Sequence, residues 1–205
     1  MVRTLSTMLP LGTVLPPFEL TLVKGIRLRN AHLIGMDQIS NKSLEHQPVL
    51  LMIICAHCPF VKYVETELTK LDKEYGSQVQ MLAIASNSLM THPQDGPNQL
   101  ALQAQQQGWT FPYLLDLDQK FAKALQAACT PDFFLFSSIE DGYQKLRYRG
   151  QLDSSRPGSN IPLNGEDLRS ALDAVLEGKE VSSDQKPSIG CNIKWHPGKE
   201  PSWFG

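Results

Sequence analysis

The sequence predicts an α/β fold: helix over sheet over helix, in three layers around a central mixed sheet. Val49 to Ile54 is an unbroken apolar run, too short for a helix and rich in branched side chains, which reads as a strand buried on both faces. From His57 to Tyr75 the apolar residues Val61, Val64, Leu68 and Leu71 recur at helical spacing and stop at Gly76. Gln78 to Ala85 is a second short apolar run. Strand, helix and strand in that order imply a parallel pair joined by a right-handed crossover.

The remaining elements fit around this unit. Pro16-Pro17 leads into an alternating strand ending at Val23, Lys24-Gly25 turns, and Ile26 to Ile34 is expected to return as its hairpin partner. Asn41 and Ser43 are cap candidates in the polar stretch that follows. Beyond the second apolar run, Ser86 to Pro97 is a loop of Asn, His, Pro, Asp and Gly, placed where parallel strands end and binding loops gather. A helix over Asn98 to Gln107, a short strand over Phe111 to Leu115 and a helix over Gln119 to Ala127 come next. Pro131 stands ahead of the apolar Phe133-Phe134-Leu135-Phe136, and Tyr143 to Leu152 alternates well enough to pair with it through a turn at Glu140-Asp141-Gly142. Gly165 to Glu177, capped by Asn164, is the last helix.

The chain of 205 residues is expected to form one domain over residues 1–183 with a tail over 184–205. A chain of that size buries about 70% of its unfolded surface without staples, so its four cysteines need not be a structural framework. Trp195, Trp203 and Phe204 make a solvated tail costly, so it is expected to pack back onto the domain. The net charge of −2 is spread over interspersed signs, which argues against nucleic-acid and membrane partners. Met1 to Pro17 reads as neither signal peptide nor anchor, so the expected location is cytoplasmic, where paired cysteines are catalytic or redox-sensing more often than structural.

The chemistry concentrates in Cys55-Ala56-His57-Cys58-Pro59, where the buried strand hands over to the helix. Helix N-termini carry unpartnered N–H groups and partial positive charge, which favours a thiolate over a thiol. His57, when protonated, adds to this, and Pro59 in the first turn loses no helical hydrogen bond. Cys55 is expected to be the more exposed thiol and the nucleophile, with Cys58 inside the helix as the resolving thiol. Cys129 and Cys191 are candidate third redox thiols. Trp109 reads as packing, His196 as a surface residue, and Arg149, Asp153 and Arg156 as a loop salt bridge or anion contact.

From about Gly12 to Gly178 this order of elements resembles the thioredoxin fold, and Pro16-Pro17-Phe18-Glu19-Leu20 is similar to the start of the peroxiredoxin and thiol-specific-antioxidant branch. Cys55-Ala56-His57-Cys58-Pro59-Phe60-Val61-Lys62, Cys129-Thr130-Pro131-Asp132, Tyr148-Arg149-Gly150-Gln151-Leu152-Asp153 and Ser188-Ile189-Gly190-Cys191-Asn192-Ile193-Lys194-Trp195 resemble the motifs of a peroxiredoxin-like group within that superfamily. The resemblance implies that Pro131 is a cis-proline facing the sulfurs and that Thr130 presents its backbone to a thiol partner, with Pro59 a further substrate contact. Val49 stands where thioredoxins place a buried acid, and Cys55 where peroxiredoxins place a threonine. His57 gives a centre similar to that of protein disulfide isomerase.

The expected function is thiol–disulfide exchange with a protein or small-molecule disulfide, recharged by a thiol reductant system, with no cofactor and no metal. One alternative is an antioxidant thiol peroxidase in which Cys58 attacks peroxide. The other is a soft-metal protein binding copper or zinc through Cys55, Cys58 and either Cys129 or His57.

Overall fold

The computed structural model describes residues 3–203. Its centre is β4 (Val49–Ile53), every residue of which is buried. Leu50 and Met52 point to one face, where α1 (Pro59–Tyr75) contributes Val61, Leu68 and Leu71 and α4 (Glu166–Leu176) contributes Leu168 and Leu172. Val49, Leu51 and Ile53 point to the other, where they meet Leu33, Ile39 and the Phe121 and Ala122 of α3 (Lys120–Ala124). Each such side chain fully withdrawn from water contributes about 1.5–3 kcal/mol, so this alternation fixes which face every later element covers.

Around β4 the main sheet runs β3-β2-β6-β5-β4-β8-β9. β5 (Gln80–Ala85) is parallel to β4 and to β6 (Tyr113–Leu115), as the strand–helix–strand pattern requires, with α2 (Pro97–Gln107) in the second crossover. β8 (Asp132–Phe136) runs antiparallel to β4, and β9 (Leu146–Gly150) antiparallel to β8. The sheet is therefore mixed, and the fold is thioredoxin-like.

The N-terminal pair differs from expectation. β2 (Glu19–Leu22) pairs with β3 (Gln38–Ser40), whereas Ala31–Leu33 forms a 3-10 turn that drives Leu33 into the core. Ser40, not Asn41, caps the next turn, reciprocally with the Ser43 hydroxyl; the Asn41 side chain accepts from the Phe18 amide instead. Gly165, not Asn164, is the N-cap of the last helix; Asn164, one residue ahead, accepts from the Glu166 amide, and the Asp153 carboxylate takes the Asn164 and Gly165 amides. The Asp153 carboxylate therefore organises the start of α4 and, among the described residues, forms no ion pair with Arg149 or Arg156, although Arg156 donates to the Asp153 backbone carbonyl. Arg149 bonds the Leu9 carbonyl and Gln185, and Arg156 bonds backbone carbonyls and Gln151.

The C-terminal segment lies on the domain. β10 (Ile189–Asn192) is the middle strand of a second small sheet, between β1 (Arg3–Leu5) and β7 (Cys129–Thr130). Two glycines permit this path. A Cβ on Gly190 would run into the Thr130 carbonyl, and one on Gly150, which also has φ +123°, into that of Lys186. Ile193 and Trp195 are buried on the α3 face of the sheet. His196 is no free surface residue: its ring nitrogens reach Ser88 Oγ and the Leu117 carbonyl, each at 2.8 Å. Phe204 lies outside the described residues. Among the described residues no helix is long and apolar enough to cross a membrane.

Candidate active site

β4 ends at Ile53, and the chain turns through Cys55–His57 before α1 starts at Pro59. Cys58 is the N-cap of α1, not an interior helical residue, so its sulfur sits over the unpartnered amides of the first turn. The expected cis bond is found between Thr130 and Pro131. Thr130 spans both sulfurs: its hydroxyl lies 3.7 Å from Cys55 Sγ, and its carbonyl 3.3 Å from Cys58 Sγ. Cys55 and Thr130, 75 residues apart in sequence, thus meet at the dithiol.

Contrary to expectation, Cys55 is not exposed. It retains 1% of its accessible surface and Cys58 none. The turn that follows it is held by Asp95, a fully buried carboxylate just before α2. One oxygen accepts the Ala56 and His57 amides at 3.0 and 3.2 Å; the other meets His57 Nδ1 at 2.6 Å and takes a bond from Asn87. These bonds fix the cysteine turn and the imidazole beside it, with Nδ1 4.0 Å from Cys55 Sγ. His92 stacks on His57 at 5.3 Å between ring centres. Gln103 on α2 completes the frame by donating to the Cys55 carbonyl and to Glu65 while Tyr113 donates to its oxygen.

The two sulfurs occupy opposite electrostatic settings. Hydrogen bonds from Cys191 and from Cys55 hold the Cys58 thiol well below the ordinary thiol range, and the Val61 amide of the first helical turn pulls the same way. The Cys55 thiol is pushed up by giving its hydrogen bond to Cys58, by burial and by the negative charge of Asp95. His57 is raised by its bond to Asp95, which keeps it cationic further up the pH scale. Asp95 is correspondingly held low, its bonds from His57 and Asn87 outweighing burial.

Of the two candidate third thiols, the structure brings in Cys191 and turns Cys129 away. Cys191 Sγ is 2.7 Å from Cys58 Sγ, whereas the Cys129 thiol points at the Pro131 carbonyl at 3.7 Å and is pushed up by burial. Cys129 is therefore no companion of Cys55 and Cys58 for a metal. Cys55, His57 and Asp95 do bring their donor atoms within 4.8 Å of one another, but both Asp95 oxygens already hold the cysteine turn. Pro59 is exposed at the first helical position, and Trp109 is buried, its indole donating to Thr69. Sequence reasoning missed Asp95, Asn87 and Gln103. The signal for Asp95 was its place between a parallel strand and a Gly-Pro helix start, where site loops gather.

A dithiol on a helix N-terminus, spanned by a Thr–cis-Pro step on a mixed sheet, defines a thioredoxin-like thiol redox protein. The chain belongs to the AhpC/TSA family, whose pattern matches residues 11–149, and its chemistry is that of a thiol-based oxidoreductase. An uncharacterized conserved protein from Geobacillus kaustophilus is 44% identical, with a TM-score of 0.85 over 97% of this chain and 98% of that one. A hypothetical protein from Sinorhizobium meliloti 1021 is 38% identical, with a TM-score of 0.84 over 95% and 100%. A putative thiol:disulfide interchange protein from Chlorobium tepidum shares the fold at 14% identity, with a TM-score of 0.59 over 82% and 99%. No curated protein matches the sequence.

Proposed function

We propose that this protein is a thiol–disulfide oxidoreductase whose redox couple is the Cys55/Cys58 dithiol and whose substrate is a protein or small-molecule disulfide. The observation that carries the reading is the contact of both sulfurs with Thr130 at the N-terminus of α1. Cys58 holds the thiolate and attacks one sulfur of the substrate disulfide; the other substrate sulfur leaves as a thiolate. Cys55 then gives up its proton and attacks Cys58 Sγ, which expels the second substrate thiolate and leaves the Cys55–Cys58 disulfide. His57, kept cationic by Asp95, supplies positive charge and a proton beside Cys55. This assignment reverses the roles expected from sequence, because Cys58 has the helix cap and Cys55 has the carboxylate.

Because both thiols are buried, a partner sulfur gains access when His57 and the tail shift. His57 lines a surface cleft of about 210 Å³ beside Gln103 on α2, and a second cleft of about 370 Å³ lies between His92 and Lys194. Turnover of a glutathione disulfide probe with dithiothreitol as reductant tests the reading. Cys58→Ser is expected to abolish turnover and Cys55→Ser to lower it; unchanged turnover in both variants would overturn it.

A peroxidase reading draws support from the family match, which includes Cys58-Pro59. Among the described residues no arginine hydrogen-bonds Cys58, whose hydrogen-bond partners are two thiols, Thr130 and the Val61 amide. Hydrogen peroxide consumption that needs Cys58 but not Cys55 would favour it over disulfide exchange.

A further inference from the structure

We propose that Cys191 is a third redox thiol that receives the disulfide from the Cys55/Cys58 pair, so that the oxidised protein carries a Cys58–Cys191 bond tying the C-terminal strand to the catalytic helix. The inference rests on the exchange reading above and adds a residue and an oxidised state to it. Cys58 Sγ and Cys191 Sγ lie 2.7 Å apart, inside the van der Waals contact of two sulfurs and about 0.7 Å beyond a covalent S–S bond. The two residues are 133 positions apart, so no local turn forces this approach; the fold builds it.

The construction runs through Thr130. In the ladder between β10 and β7, Cys191 stands opposite Thr130, and the Thr130 carbonyl is itself 3.3 Å from Cys58 Sγ. Gly190 lets β10 come this close, since any side chain there would strike that carbonyl. On the other edge β1 pairs Arg3 with Cys191, so the thiol is held from both sides. Ser188 anchors the start of β10 through its amide, which donates to Ser6 Oγ, and its hydroxyl, which donates to the Gly150 carbonyl. A small buried apolar residue would need none of this alignment with the helix cap. Cys129, equally buried one strand away, points its thiol at the Pro131 carbonyl and shows what an unaligned thiol looks like in this sheet.

The step is an internal thiol–disulfide exchange with no net change in oxidation state. Starting from the Cys55–Cys58 disulfide, Cys191 loses its proton and its sulfur attacks Cys58 Sγ. The Cys58–Cys191 bond forms, the Cys55–Cys58 bond breaks, and Cys55 leaves as a thiolate that takes up a proton. Cys58 is the shared sulfur, with Cys55 on one side and Cys191 on the other. The result is a free Cys55 beneath His57 and an oxidised bond under the tail, which a dithiol reductant reopens.

Oxidation of the full chain with glutathione disulfide, alkylation of the remaining thiols and tryptic mass mapping test this. Residues 43–62 carry Cys55 and Cys58 on one peptide, residues 180–194 carry Cys191, and residues 124–145 carry Cys129. The expected product is the 43–62 peptide joined to 180–194. The same joined peptide should form in Cys55→Ser, and it should be lost in Cys191→Ser, where only the loop within 43–62 remains. Cys191→Ala, checked by circular dichroism for retained folding, should behave as Cys191→Ser. A wild-type product closed only within 43–62, with Cys191 alkylated in Cys55→Ser, would overturn the inference and leave the exchange reading intact. Absence of both bonds would overturn the two together.

Discussion

The two sides of the dithiol are built from different chemistry. On the Cys55 side, loops at the ends of the parallel strands supply a carboxylate hydrogen-bonded to an amide and an imidazole, with a second imidazole stacked on the first, partly open to solvent. On the Cys58 side, a helix cap and a strand borrowed from the C-terminus supply a carbonyl and a second sulfur, fully enclosed. Two cysteines three positions apart therefore differ in which form they favour. Asp95 makes a negative charge on Cys55 costly, while the first turn of α1 and the donated thiols make one on Cys58 cheap. The spacing of the motif does not distinguish the two sulfurs; their hydrogen bonds, their burial and the carboxylate from the loop before α2 do.

The contrast can be broken from either side. Cys58→Ser removes the thiolate and is expected to stop disulfide turnover altogether, measured with the glutathione probe. Gly190→Ala acts on the enclosed side by pushing a methyl into the Thr130 carbonyl; overpacking of this kind costs about 1–3 kcal/mol, read as a lower midpoint in urea unfolding, and it should speed alkylation of Cys191 as β10 lifts. Asp95→Asn acts on the open side. It keeps the shape but removes the charge, so the Cys55 thiol should titrate lower and His57 lower, at a stability cost of about 1–3 kcal/mol for the weakened bonds. His57→Ala is the smallest change, raising the Cys55 thiol while leaving Cys58 low.

The His57–Asp95 pair also sets a pH signature. Asp95 is lower in the folded state than in the unfolded one, so its contribution is present above about pH 3.9 and fades as pH falls through the folded value. His57 is higher when folded, so its contribution is present below about pH 6.5 and fades as pH rises through the folded value. The pair stabilises most in the mildly acidic window between them. Thermal unfolding followed across that range should show the maximum in the wild type and a flatter profile in Asp95→Asn.

What could be read from the residues follows from how local the cause was. The central strand and α1 are set by contiguous apolar runs and a helical period, so Val49 to Tyr75 was legible almost to the residue. β3 was not, because Gln38, Ile39 and Ser40 hold one apolar residue and pair only because β2 offers an edge. The dithiol was legible, but its polarity was not: the carboxylate that holds the turn after Cys55 and bears on its charge is Asp95, 39 positions away from Ala56. Cys191 could be suspected from a tail too apolar for solvent, yet its choice over Cys129 depends on the β10–β7 register, which no local pattern encodes.

The account turns on Cys58 being the sulfur that carries the charge. Thiolate absorbance titrated against pH in Cys55→Ser and in Cys58→Ser tests it most directly. The account predicts a thiolate persisting well below neutral pH in Cys55→Ser and absent there in Cys58→Ser; a low-pH thiolate that survives in Cys58→Ser and vanishes in Cys55→Ser would contradict it.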